Sequence, residues 1–136
     1  MQVMTRPVLA TPSAITISVR RSGATLSAHT TLSYPDTVLV GEAHRDDDNR
    51  MRAIAQATLA ALRDVSDSSL ESAQIISVPG RKIAVTVVEF PDAHGSYRAF
   101  VGSALVRGEV EDAVARSVLD AITDHIDDQL DTEETP

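Results

Sequence analysis

The sequence predicts an α+β fold made of two pseudo-twofold-related βββα units, the sheets covered by two helices. Three pairs of matched segments carry this reading. SAITISV (13–19) and SAQIISV (72–78), 59 residues apart, agree at five of seven positions. TVLVG (37–41) and RAFVG (98–102) are offset by 61, and AIAQATLAAL (53–62) and AVARSVLDAI (113–122) by 60, sharing Ala, Ala, Leu and Ala in order. Such self-similarity marks an internal repeat, and a unit of this size buries its apolar face best against a second one. A chain of 136 residues suits one domain. With aromatics at 3%, its core must be built from Val, Ile, Leu and Ala.

Residues 1–12 carry two prolines and no periodicity, which predicts a flexible leader before a domain over 13–128 with repeats at 13–65 and 72–127. From Ser13 to Gly23, Ile15, Ile17 and Val19 alternate with Thr16, Ser18 and Arg20 as in a half-buried strand. TLSAHTTLS (25–33) follows a turn at Ser22-Gly23 as a second strand, and TVLVGEAHR (37–45) follows YPD as a third. Asp46 to Asn49 are suited to cap a helix. In that helix Met51, Ile54, Thr58, Leu59, Leu62 and Val65 recur at intervals of three and four, among alanines that allow close packing. The programme then repeats: LESAQIISV (70–78), the turn PGR, KIAVTVVEF (82–90), the connector PDAHGS and YRAFVGSALV (97–106). A second helix is expected from about Glu109 to Asp127, with Val110, Val114, Val118, Ala121, Ile122 and Ile126 in one stripe, followed by a frayed acidic tail over 129–136.

A formal net charge of −8, with basic pairs no larger than Arg20-Arg21, argues against a nucleic-acid partner. No apolar run approaches the roughly 20 residues of a membrane span, and the N-terminus lacks the pattern of a secretory signal, so no membrane partner and a cytoplasmic location are expected. Zero cysteines exclude disulfides and thiol chemistry.

The element order over residues 13–127 resembles the C-terminal regulatory domain of 2-isopropylmalate synthase and its relatives, which is also two βββα units. EVEDAVARSVLDAI (109–122) is similar to that family's second-helix run Asp-Ile-Val-Glu-Ala-Ser-Ala-Lys-Ala-Leu-Leu-Asn-Ala-Leu, and VGEA (40–43) and LESAQIISV flank the first helix as they do there. Where the family has Gly-Asn-Gly-Pro-Val-Asp-Ala entering the first helix, this chain has DDDNRMRA (46–53). The resemblance implies a leucine-binding, dimerising module. The synthase's catalytic barrel of about 250 residues exceeds this chain, so any regulation is expected to act on a separate partner enzyme.

No catalytic residue, cofactor or metal is expected. His29, His44, His94 and His125 show neither His-x-x-x-His nor His-Glu-x-x-His spacing. RDDDNR (45–50) lacks the alternating ligands, central Gly and distant Glu of a calcium loop and reads as a solvated cap. Ser103, in FVGSA, lacks the Gly-x-Ser-x-Gly elbow of a nucleophile. His125 near the expected end of the second helix suits a cation favoured by the helix dipole. A small-molecule site, if present, is expected where each third strand hands over to its helix, because the free amides of a first helical turn receive an anion. In the first half this is Gly41, Glu42, Asp46, Asp47, Asp48 and Asn49, where the acids favour an ammonium group. In the second it is Gly102, Ser103, Arg107, Gly108 and Glu109, where Arg107 favours a carboxylate. Gly41 and Gly102 have a second reading as points of close backbone approach. Two functions follow: a non-catalytic regulatory or sensing module for an amino-acid-like effector, assembled as a homodimer, or an assembly protein that keeps the fold without the pocket.

Overall fold

The computed structural model describes residues 11–134. Residues 1–10, most of the expected leader, and 135–136 lie outside the described residues. The chain runs β1 (Ala14–Ser22), β2 (Thr25–Ser33), β3 (Val38–Arg45), α1 (Arg50–Ala61), β4 (Ser69–Val78), β5 (Arg81–Pro91), β6 (Tyr97–Leu105) and α2 (Val110–Glu134). Two antiparallel three-stranded sheets, ordered β1-β2-β3 and β4-β5-β6, each precede a helix, so the α+β fold with a twofold-like repeat of βββα units is present. Two helix ends differ from expectation. α1 stops at Ala61, and Val65 sits in the turn beyond it, 42% exposed. α2 runs on to Glu134, so most of the segment expected to fray is helical.

The central strands carry the core. On β2, Leu26, Ala28, Thr30 and Leu32 are buried, and on β5 Ala84, Thr86, Val88 and Phe90, the alternation of a strand with one face covered. α1 lies on β2 and β3 and reaches across to β4 and α2, whereas α2 lies on β5 and β6 and touches β1. α1 is therefore buried nearly all round, at Ala53, Ile54, Ala55, Ala57, Thr58, Leu59 and Ala61. Ala113, Val114, Ala115, Val118, Leu119, Ala121 and Ile122 do the same for α2. Full burial of an Ile or Leu such as Ile54 or Leu119 stabilises by about 1.5–3 kcal/mol. Arg50 joins the helices through Glu111 at 3.0 Å. Arg52 donates to the carbonyls of Glu71 and Leu70 at a bulge in β4.

Gly41 and Gly102 are packing positions. A Cβ on Gly41 would lie 2.0 Å from the Ala57 oxygen and 2.2 Å from the Ala61 nitrogen, and one on Gly102 would lie 1.9 Å from the Ser117 oxygen and 2.5 Å from the Ala121 nitrogen. The two contacts are equivalent: 102 − 41 = 61, and 117 − 57 and 121 − 61 both equal 60. Each helix backbone thus rests on strand backbone, and both glycines are buried under it.

This equivalence corrects the register of the repeat. Gly41 pairs with Thr30 and Thr30 with Ile17, while Gly102 pairs with Thr86 and Thr86 with Ala73. The structural offset of the first strands is therefore 73 − 17 = 56, three less than that of the matched heptads. SAITISV and SAQIISV lie on corresponding strands but not at corresponding positions. The cause is the turn. In the first half Arg20, Arg21 and Ser22 extend β1 before Gly23, at φ +62°, reverses the chain. In the second, Pro79, with φ locked and no N–H to donate, forces the turn directly after Val78, and Gly80 takes φ +77°. An odd shift exchanges the faces of a strand. Ile17 and Val19 point toward the core, whereas their heptad partners Ile76 and Val78 are 39% and 40% exposed on the outside.

Gly41→Ala and Gly102→Ala should each destabilise the fold by about 2–3 kcal/mol, because the helix must lift to admit the methyl group. Gly108→Ala, with nothing within 4 Å of the added Cβ, should be close to neutral. Urea denaturation of the three variants measures the contrast.

Candidate functional site

The two strand-to-helix handovers differ in what their side chains are doing. At the first, two of the three acids expected to attract an ammonium group, Asp47 and Asp48, already have cationic partners. Arg45 donates to both oxygens of Asp47, at 2.9 and 2.5 Å, and Asp47 also accepts the Asn49 amide at 3.1 Å. The Arg45 hydrogen bonds, with that amide, hold the Asp47 carboxyl down at about 2. Asp48 is paired with Arg21. Asn49 is the helix cap, its side-chain oxygen accepting the Arg52 amide at 3.0 Å. Asp46 is exposed, and Gly41 is buried under α1.

Glu42 points to the other side of the sheet. It stands between His44, whose Nε2 is 2.8 Å from its carboxylate, and His29, directly opposite on β2 at 3.3 Å. Ser27 Oγ lies 2.8 Å from His44 Nδ1, which completes a chain of four polar side chains on the open face of the sheet. β2 is the central strand, so its amides are committed to ladders on both sides and leave no donors there for an oxyanion. Among the described residues, no group of three His, Asp or Glu side chains is placed to hold a metal ion.

At the second handover the structure forms a cleft of about 300 Å³ lined by Ser103, Ala104, Leu105, Arg107, Arg116 and Asp120. Ser103 and Arg107 were expected there; Arg116 and Asp120, from the second and third turns of α2, were not. Arg116 is fixed by Asp112 at 2.7 Å and by the Leu105 carbonyl at 3.4 Å. Asp120 accepts the Ser103 amide at 2.9 Å, and burial, with the charge of Asp120, pushes up the next carboxyl along the helix, Asp124. Cationic and anionic groups therefore line one cleft. The signal for the missed pair was the helical spacing 112, 116, 120, a row of charges on the side of α2 beside β6. Gly102 is buried under α2 and Gly108 lies in open space. Glu109 lines a different cleft, with Ile15, Thr16, Ile17, Glu111 and Asp112. The corresponding first-half positions, by the offsets above, are Glu42, Asp46, Gln56 and Ala60, a set with no cation.

A third cluster sits farther along α2. His125 stacks on Phe90 with ring centroids 3.8 Å apart and planes within 7°, and meets Phe100 edge-on at 5.3 Å. Because α2 continues to Glu134, His125 is not a cation at a helix terminus as expected. Burial pushes its imidazole below the usual 6.5, against the pull of Asp128 and with the push of Arg98. Its Nδ1 is buried without a partner, while Arg98 and Asp128 bond each other at 2.6 Å. The group binds protons less readily folded than unfolded, so its contribution to stability is present above about pH 6.5 and is lost as pH falls through that value toward the depressed folded pKa.

No family model matches the chain, and no curated protein matches it. No helix among the described residues is long and apolar enough to cross a membrane.

Urea midpoints of the parent and of His125→Phe, compared from pH 7.5 to 5, isolate this imidazole from other titrations. The parent should lose stability relative to the variant as pH falls below about 6.5. Parallel curves would show that the imidazole is not held neutral by its stack.

Proposed function

We propose that this protein is a non-catalytic regulatory module that senses an amino-acid-like small molecule and acts on a separate partner, in the manner of the effector domain of 2-isopropylmalate synthase that its sequence resembles. The observation that carries the reading is the cleft at the β6–α2 handover. Arg107 and Arg116 offer donors to a carboxylate, and Asp120 offers acceptors to an ammonium group, the two charges of an amino acid on one rigid strand and helix. Of the two arginines Arg116 is already held by Asp112, and Arg107 has no partner among the described residues, so Arg107 is the group free to take a ligand carboxylate. The first half contributes no equivalent site on this reading, because Asp47 and Asp48 are taken by Arg45 and Arg21.

A second reading, assembly without a ligand, is favoured by the outer face of the β4-β5-β6 sheet. Ile76, Ile83, Val85, Val87 and Val101 share that face by register, with Val101 57% exposed. The matching face of the first sheet is more polar, with Thr16, Ser18, Ser27, His29, Thr31, Glu42 and His44 beside exposed Val38 and Val40 on the edge strand β3. A contiguous apolar sheet face is suited to an isologous pairing of two copies. The two readings are compatible in a homodimer whose ligand acts at the other side of the same sheet.

Isothermal titration of the protein with a panel of amino acids, followed by Arg107→Gln, tests the first reading. The variant should bind a responding amino acid about tenfold more weakly with its melting temperature unchanged. Sedimentation of Val101→Lys tests the second: a twofold dimer in the parent should become a monomer, and a parent that is itself monomeric at high micromolar concentration removes the interface.

A further inference from the structure

The polar side chains on the open face of the first sheet have no part in the sensing function, and their geometry is that of an activated hydroxyl. Ser27 and His44 stand directly opposite each other on β2 and β3, as do His29 and Glu42. A carboxylate only accepts, so the 2.8 Å contact of Glu42 Oε2 with His44 Nε2 places the proton of the neutral imidazole on Nε2. His44 Nδ1 is then the acceptor, 2.8 Å from the Ser27 hydroxyl. His29 Nε2 reaches the same Glu42 oxygen at 3.3 Å and helps to hold the carboxylate in place. Hydroxyl, base and orienting acid at these distances are the arrangement that activates a serine, on whatever fold it is built. The paired backbone amides of β2 supply nothing to the charge that develops during attack, but a side chain is placed to do so. Arg20 on β1 pairs with Ser27 from the side opposite His44 and on the same open face, the Cβ atoms of such a pair being roughly 5 Å apart. It is exposed and has no hydrogen-bond or ionic partner among the described residues. Arg20, Ser27 and His44 thus form one row across three strands.

We propose that Ser27 is a covalent acceptor for the acyl group of small acyl phosphates. Phosphate is the class of group that an unpaired guanidinium selects, because the planar fork donates to two of its oxygens at once. A donor held in this way by Arg20 has its acyl carbon beside the neighbouring Ser27. In the step itself the bond from Ser27 Oγ to the carbonyl carbon forms, and the bond from that carbon to the phosphate oxygen breaks, its electron pair leaving with the phosphate. The hydroxyl proton passes to His44 Nδ1 and from there to the departing phosphate, so His44 ends neutral and the product is an ester on Ser27. Glu42 does not touch the donor; it positions His44 and stabilises the imidazolium formed between the two transfers. This site shares no residue with the β6–α2 cleft and does not depend on the sensing function.

Incubation of the full chain with acetyl phosphate, followed by intact-mass and peptide mass spectrometry, tests the proposal. One acetyl group should appear on Ser27 faster than on Lys82, the single lysine and the internal reference for unassisted acetylation. His44→Gln should slow the labelling of Ser27 about a hundredfold with the melting temperature unchanged. Glu42→Gln should lower the maximal labelling rate about tenfold and leave the half-saturating concentration of acetyl phosphate where it was, as a positioning residue requires. Arg20→Gln should slow labelling by acetyl phosphate about tenfold more than labelling by p-nitrophenyl acetate, a donor without a phosphate. Acetyl on Lys82 or on other hydroxyls as fast as on Ser27, or a rate at Ser27 that His44→Gln leaves unchanged, overturns the site. An equal effect of Arg20→Gln on the two donors overturns the assignment to acyl phosphates.

Discussion

The structure depends on two places where helix backbone meets strand backbone without a side chain between them. At Gly41 and Gly102 the separation is so small that no residue with a Cβ fits, and the alanine-rich helices complete the contact from the other side. Close approach of this kind sets the depth at which each helix sits, and with it the size of every core side chain around it. It explains why a core with few aromatics can still close: thin residues at the crossing bring the larger ones, Ile54, Leu62, Leu119 and Ile122, down onto the sheets. It also explains two buried hydroxyl pairs. Thr30, opposite Gly41, meets Thr58, and Thr86, opposite Gly102, meets Ser117, so the polar groups enclosed beside each crossing satisfy one another.

Strand and helix positions were legible in the sequence because alternation and turn chemistry are local. β2 was expected over 25–33 and lies there, and the remaining strands differ by a residue or so at their ends. Register was not legible in the same way. The heptads at Ser13 and Ser72 are the most alike segments of the two halves, yet residue identity does not report which face a strand buries. That is decided by pairing to the next strand, and the turn follows directly after the second heptad but only three residues after the first. The end of α2 was misread for a related reason: an acidic composition disfavours a packed face but does not stop a helix already nucleated on a core.

The candidate site was half legible. Ser103 and Arg107 are adjacent to a strand end and could be named from the chain alone, whereas Arg116 and Asp120 enter from the helix and only the fold brings them to the same cleft. The first-half acids show the converse limit. Asp46, Asp47 and Asp48 form a run that invites a cation, and which cation satisfies it is a question of tertiary placement. Arg45 and Arg21 answer it for Asp47 and Asp48, one from the end of β3 and one from the end of β1. The end of β1 thus reaches the helix cap through Arg21, where the structurally equivalent position at the end of β4 is Ser77.

The same three-residue difference separates the two halves in what they present to the outside. In the first sheet the apolar residues of β1 turn toward the core, and the outer face carries Thr, Ser, His and Glu, with Val38 and Val40 at its β3 edge. In the second, the shifted frame puts Ile76 and Val78 outside, in line with Ile83 and Val101, while smaller Ala73 takes the place of Ile17 within. Two units that share one fold and one helix contact thus acquire unlike surfaces without any change of architecture. Burying the centre of the second face, around Ile83, Val85, Val87 and Val101, costs little in desolvation, whereas burying the centre of the first would strand the Glu42 carboxylate and two imidazoles away from water. If two copies of the chain associate, physical chemistry favours the second sheet as the surface they share and leaves the first exposed.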